Sequence, residues 1–283
     1  MARILAILFI FFSFTAYRVR GTLVIAVPVN DGLVACADKR LFNVDAGTFT
    51  DTNVKIRKAG MNALFVATNT VGIYDNRTRK MAFDASEVIS NYAARHDFKA
   101  DQQYWQGLKK EIADKLREYF ASHSYSEWPE TDKANNNLLF NLFFFSVSGH
   151  QSWSHTLKVS YKKERKPVID VSGPVTESIR LPKLSGKGRE IVGYISMDPA
   201  VSNDPSILRF DERIFRPQTT SVEDAVAFSG KLFNLTNSVL PNAHVSASFD
   251  CALLAYDTGF RFIDTTAATA KIRPVAIGKY DDQ

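Results

Sequence analysis

Ten residues, 138–147 (LLFNLFFFSV), set the strongest limit on what this chain can fold into. The run is too short to span a bilayer as a helix. It has no polar face, so as a strand it must be covered on both sides. A strand of that kind belongs in a sheet held between two layers.

The rest of the chain supplies those layers. Residues 22–28 and 33–38 are apolar and rich in β-branched residues, and Asn30-Asp31-Gly32 between them is a turn signal, so together they read as a hairpin. Residues 54–57 and 63–68 read as a second pair of strands. Two helices follow, at 84–94 and 104–120. In the second, Trp105, Leu108, Ile112, Leu116, Tyr119 and Phe120 recur at three- and four-residue steps, with Lys109, Lys110, Asp114, Arg117 and Glu118 opposite. Strands return at 137–148 and 154–163. Residues 165–220 are rich in Pro, Ser and charge and read as short strands, near 168–171 and 191–195, joined by long loops. Thr220-Ser221-Val222-Glu223 has the form of a capping box opening a last helix. Strands at 246–256 and 260–263 follow, turning at Asp257-Thr258-Gly259, with a further one at 272–277. The expected fold is α+β, a four-layer αββα sandwich of two antiparallel sheets covered by helices.

Residues 1–16 (MARILAILFIFFSFTA) have an early Arg3 and a short apolar run, the form of a secretory signal. The expectation is export to the periplasm or beyond the cell. The alternative is a membrane anchor through residues 4–16. Residues 1–21 then form a signal peptide plus a short propeptide. Residues 22–283 form a single domain with an irregular insertion around 165–220.

The whole chain carries 35 basic and 30 acidic residues. Arg3, Arg18 and Arg20 fall in the leader, so the remainder is nearly neutral and its charge makes no case for nucleic acid. No membrane association is expected once the leader is gone. The five histidines show no ligand spacing, and His150 and His155 read as surface residues flanking a hairpin turn. No metal or cofactor motif appears, and Gly186-Lys187-Gly188 is too short for a phosphate loop. Cys36 and Cys251 sit in apolar runs and read as buried thiols, although export would permit a bridge.

The chemistry converges on Gly21-Thr22. A Thr hydroxyl is a poor nucleophile unless a base takes its proton, and a Thr at a chain's own N-terminus has such a base in its α-amine. That amine titrates near ~7.7–8.0 in model peptides, close to ambient pH. The requirement is a cut between Gly21 and Thr22. Signal peptidase is one route; attack of the Thr22 hydroxyl on the Gly21 carbonyl is the other.

Gly21-Thr22, the hairpin ending in Asp38-Lys39-Arg40, and Lys55-Ile56 resemble the catalytic β-subunits of the 20S proteasome and their bacterial relative HslV, which are N-terminal nucleophile hydrolases. In that family the mature chain begins at the Thr, and Asp38 lies at the family spacing of sixteen residues after Thr22. Lys55 lies thirty-three after it, one more than the family pattern. The resemblance implies Thr22 as nucleophile, with Lys55 and Asp38 tuning it. It departs elsewhere. Ala67-Thr68-Asn69-Thr70 replaces the Gly-rich turn that supplies the oxyanion N–H, leaving Thr68 and Asn69 as candidates. Ser196 is the counterpart of a supporting Ser, and Asn242 and Ser246 stand in for an Asp and a Ser before the last core strand.

The expected function is thus an exported proteasome-like threonine hydrolase that cleaves peptide or other amide bonds once residues up to Gly21 are removed. It would act on a peptide or small amide substrate, without cofactor, and the family's ring assemblies suggest a homo-oligomer. The altered support residues leave a second reading: a catalytically inactive, secreted or membrane-tethered binding or assembly protein on the same fold.

Overall fold

The computed structural model describes residues 22–43, 48–50, 54–68, 72–75, 80–129, 136–186, 214–239 and 245–265. The chain opens with a hairpin of β1 (Leu23–Val29) and β2 (Gly32–Asp38), every residue of both strands being buried except for the turn between them. Two short strands, β3 (Leu41–Asn43) and β4 (Thr48–Thr50), pair with each other. A second hairpin follows, β5 (Ile56–Gly60) with β6 (Ala63–Thr68), and then a small one, β7 (Gly72–Asp75) with β8 (Lys80–Asp84).

Helices α1 (Ala85–Arg95) and α2 (Gln102–Ser122) come next. Each begins where an Asp side chain accepts a free N–H of the first turn: Asp84 from Ser86, and Asp101 from Tyr104, both at 2.8 Å. The seven buried residues of α2 include all six of the stripe read from the sequence, plus Tyr104. Strands β9 (Leu138–Ser148) and β10 (Gln151–Lys162) form a long hairpin. Gly149 and His150, at φ +57° and +59°, make its turn, the pair of positive φ values that suits a two-residue hairpin loop.

Of the stretch around 165–220, residues 165–186 and 214–220 are described. It carries β11 (Val168–Ser178), an eleven-residue strand, and β12 (Lys183–Gly186). Helix α3 (Val222–Val239) is capped by Ser221, whose hydroxyl accepts the Asp224 N–H at 3.1 Å. The cap therefore sits one residue later than the capping-box pattern places it; the Thr220 hydroxyl instead donates to the Arg216 carbonyl at 2.9 Å. Strands β13 (Phe249–Ala255) and β14 (Gly259–Ile263) close the described chain. The expected strands at 191–195 and 272–277 lie outside the described residues.

The strands assemble into two five-stranded sheets, β12-β1-β2-β13-β14 and β11-β10-β9-β6-β5, with antiparallel pairing throughout. Three apolar clusters define four layers. One packs α3 residues such as Val226 and Phe233 on the outer face of the first sheet. One lies between the sheets, where Val24, Ala26 and Ala35 meet Leu64, Val66 and Phe145. The third joins the second sheet to α1 and α2 through Phe65, Phe140, Phe144, Ile89, Leu108 and Leu116. Phe144 and Phe145, adjacent in β9, fall in different clusters on opposite faces of one sheet, which is why that segment lacks a polar face. The fold is an αββα sandwich.

Two side-chain expectations are corrected. Cys36 and Cys251 are joined in a disulfide, because β2 and β13 are neighbours and their register sets the two residues directly opposite each other. His155 is not at the surface. It is 1% exposed, between Phe98 and Trp105, with Nε2 3.0 Å from the Ser146 hydroxyl and Nδ1 3.0 Å from that of Thr176. Burial, reinforced by nearby Lys183, pushes its pKa down to about 4.

Candidate active site

The first described residue, Thr22, immediately precedes β1. Asp38 is the last residue of β2, the neighbouring strand, and Lys55 immediately precedes β5 in the other sheet. The two stacked sheets therefore bring together three residues well separated in sequence. The Lys55 ammonium donates to the Thr22 hydroxyl oxygen at 3.1 Å and to Asp38 Oδ2 at 2.9 Å. All three are buried: Thr22 is 4% exposed, Asp38 0% and Lys55 8%.

The Asp38 carboxylate is held from several sides. Its Oδ1 accepts the Leu23 N–H at 2.9 Å, and its Oδ2 accepts the Arg40 N–H at 3.1 Å besides the lysine. Burial raises its pKa above the ordinary value, and the Lys55 charge and hydrogen bond, then the two backbone N–H groups, act against that rise. A buried carboxylate with one cationic partner and two N–H donors is well placed to fix where that cation sits.

The arrangement suits activation of a hydroxyl. A cation 3.1 Å from Thr22 Oγ stabilises negative charge developing there. Because Lys55 donates into an Oγ lone pair, the hydroxyl's own proton remains available to a base.

The other residues singled out from the sequence fare differently. Gly21, Asn69, Ser196 and Asn242 lie outside the described residues. Thr68 ends β6 in register with Asn141. Ser246 is fully buried and accepts the Ser248 N–H at 2.9 Å. That loop borders the site: Ser248 O accepts the Lys39 N–H at 2.9 Å, and Phe249 pairs with Asp38. Ser246 thus shapes the segment beside Asp38.

Sequence reasoning missed β12. Its last residues, Ser185 and Gly186, pair with Val24 and Leu23 and lie against the strand that Thr22 opens. A strand of four residues gives almost no periodic signal, and in the sequence Gly186-Lys187-Gly188 reads only as a run too short for a phosphate loop. Among the described residues, no three His, Cys, Asp or Glu side chains are grouped to hold a metal ion, and no helix is long and apolar enough to cross a membrane.

No protein-family model matches the chain, and no curated protein matches it. Among solved structures, one that is similar is the Anbu (Gly-1) mutant from Hyphomicrobium sp. strain MC1. It is 14% identical, covers 88% of this chain and 92% of its own, and superposes with a TM-score of 0.43. A likeness that slight says nothing about activity.

Proposed function

We propose that this chain is an exported, proteasome-like threonine hydrolase that cleaves peptide or other amide bonds and becomes active when residues up to Gly21 are removed. The observation that carries the reading is the chain of contacts from Asp38 through Lys55 to the Thr22 hydroxyl, drawn from both sheets. The Cys36–Cys251 disulfide fits an oxidising compartment, and so fits export.

In this mechanism the freed Thr22 α-amine takes the proton from Oγ as Oγ adds to the substrate carbonyl carbon. The carbonyl π electrons move onto oxygen, which needs a backbone N–H donor. Collapse of the tetrahedral adduct breaks the C–N bond, and the protonated amine passes its proton to the departing nitrogen. Water, deprotonated by the same amine, then hydrolyses the Thr22 ester. Collapse of this second adduct breaks the C–Oγ bond, and the protonated amine returns its proton to Oγ. Lys55 offsets the charge on Oγ as it adds to the substrate and again as it leaves the second adduct, and Asp38 keeps Lys55 in place.

The test is intact mass and N-terminal sequencing of the protein exported from its native host, as wild type and as Thr22→Ala. A wild type that begins at Thr22, with a Thr22→Ala protein that retains residues before it, identifies self-processing. If both begin at residue 22, signal peptidase makes the cut and catalysis rests on substrate turnover. A wild type that starts anywhere else has no free threonine amine, and the inactive binding or assembly protein takes the place of the hydrolase.

A further inference from the structure

The peptide unit joining Thr22 to Leu23 is gripped on both edges. Its N–H, on Leu23, donates to Asp38 Oδ1 at 2.9 Å. Its C=O, on Thr22, faces Gly186 in β12. A trans peptide points its N–H and C=O in opposite directions, so Asp38 and Gly186 stand on opposite sides of one rigid plate.

Gly186 is at φ +68°, and a β-carbon built on it would overlap the Thr22 carbonyl oxygen and lie 3.1 Å from the carbonyl carbon. Both atoms are backbone, so no side chain can swing aside to make room. Any side chain at residue 186 must displace either β12 or the Thr22–Leu23 peptide. The second displacement moves Thr22 Oγ relative to Lys55 and draws the Leu23 N–H away from Asp38.

From this we infer that Gly186 is a positioning residue for Thr22. Its bare α-carbon lets β12 close on the Thr22 carbonyl and press the Leu23 N–H onto Asp38. The catalytic meaning rests on the hydrolase reading above; the positioning itself does not. The requirement is for close approach, not only for a left-handed backbone, and this separates two substitutions. Asn tolerates positive φ and Ala does not, but both carry a β-carbon.

The experiment uses the processed full chain as wild type, Gly186→Ala, Gly186→Asn and Gly259→Ala. Gly259 is the matched control. It sits at φ +75°, and a β-carbon there would lie 2.5 Å from the Met61 carbonyl oxygen. It pairs with Ala255, which pairs with Gly32, at the opposite end of β2 from Asp38. Two quantities are read: hydrogen exchange of the Leu23 amide by NMR, and the rate at which a β-lactone acylates Thr22, followed by intact mass.

Both Gly186 variants should exchange the Leu23 amide at least about tenfold faster and acylate about a hundredfold slower, the scale expected when a reacting group is misplaced by an ångström or so. Gly259→Ala should keep wild-type values for both. Rescue by Gly186→Asn would show that only the backbone angle matters and overturn the inference. So would wild-type exchange and acylation in Gly186→Ala, or equal losses in Gly259→Ala. If neither Gly186 variant folds, Leu184→Ala, which loosens β12 without entering the contact, should shift both readouts in the same direction; no shift overturns the inference. If wild-type Thr22 is not acylated at all while Leu23 exchange responds as stated, the hydrolase reading falls and the positioning role stands.

Discussion

Replacing Lys55 with Met removes a cation bonded to a fully buried carboxylate and roughly keeps the side chain's length. Among the described residues, Asp38 would retain only the Leu23 and Arg40 N–H groups. Breaking a buried ion pair from one side costs about 3–5 kcal/mol, because the remaining charge is left uncompensated. That cost should depend on pH in a definite direction. Asp38 already has a raised pKa, and Lys55 is the largest influence holding it down, so Lys55→Met raises it further. A carboxyl whose folded pKa exceeds its unfolded value binds its proton more tightly when folded. Its contribution favours the fold below the unfolded value of about 4 and is lost as pH rises through the folded value. The stability gap between wild type and Lys55→Met should therefore be small near pH 4, where Asp38 is neutral in the variant. It should widen by up to about 1.4 kcal/mol per pH unit until it reaches the full amount, over roughly 2–4 pH units. Urea unfolding of both proteins from pH 4 to pH 8 measures it. A gap of equal size at both ends would mean that lost packing, not a stranded charge, accounts for the variant, and the electrostatic account of the site would be wrong.

Two further outcomes follow from the fold. His155 titrates near 4 when folded but at 6.5 in a model peptide, so the unfolded chain takes up a proton that the folded one refuses. Stability should fall by about 3 kcal/mol as pH drops from 6.5 to 4 on this account, and His155→Gln, which cannot titrate, should lose that part of the slope in a pH series of urea midpoints. Reduction of Cys36–Cys251 frees a chain loop with a sequence separation of 215 and should cost at most about 5 kcal/mol on a chain-entropy account; paired melts with and without reductant check it, and an unchanged Tm would count against the bridge.

The layers were legible because burial on one or two faces leaves a periodic mark. Trp105 to Phe120 shows a helix with one wet side, and the unbroken 138–147 run shows a strand with none. That Thr22, Asp38 and Lys55 meet was legible for another reason: activation of a hydroxyl would call on these residue types, and their spacing resembles a known set. Strand β11 was largely hidden because, among the described residues, it is a sheet edge, exposed at most of its positions, and so carries little alternation to detect. The burial of His155 was hidden because the hydroxyls that satisfy it, Ser146 and Thr176, come from two other strands. Pairing of Cys36 with Cys251 required knowing that the second strand and the thirteenth lie side by side. Gly186 was invisible for the same reason, since its importance is the absence of an atom at a place only the fold defines.

The bridge between Cys36 and Cys251 also changes what the molecule is as a connected object. It makes the polypeptide a closed ring with two tails, the Thr22 end on one and the C-terminal end on the other. A single cut within the ring, at any bond from residue 36 to residue 251, linearises it but sets no piece free. A cut at Gly21-Thr22 falls on a tail and releases a peptide outright. The proposed maturation and a cut within the ring would therefore leave different traces: one would shorten the protein with or without reductant, while the other would show itself as two fragments only after the sulfur bridge is opened.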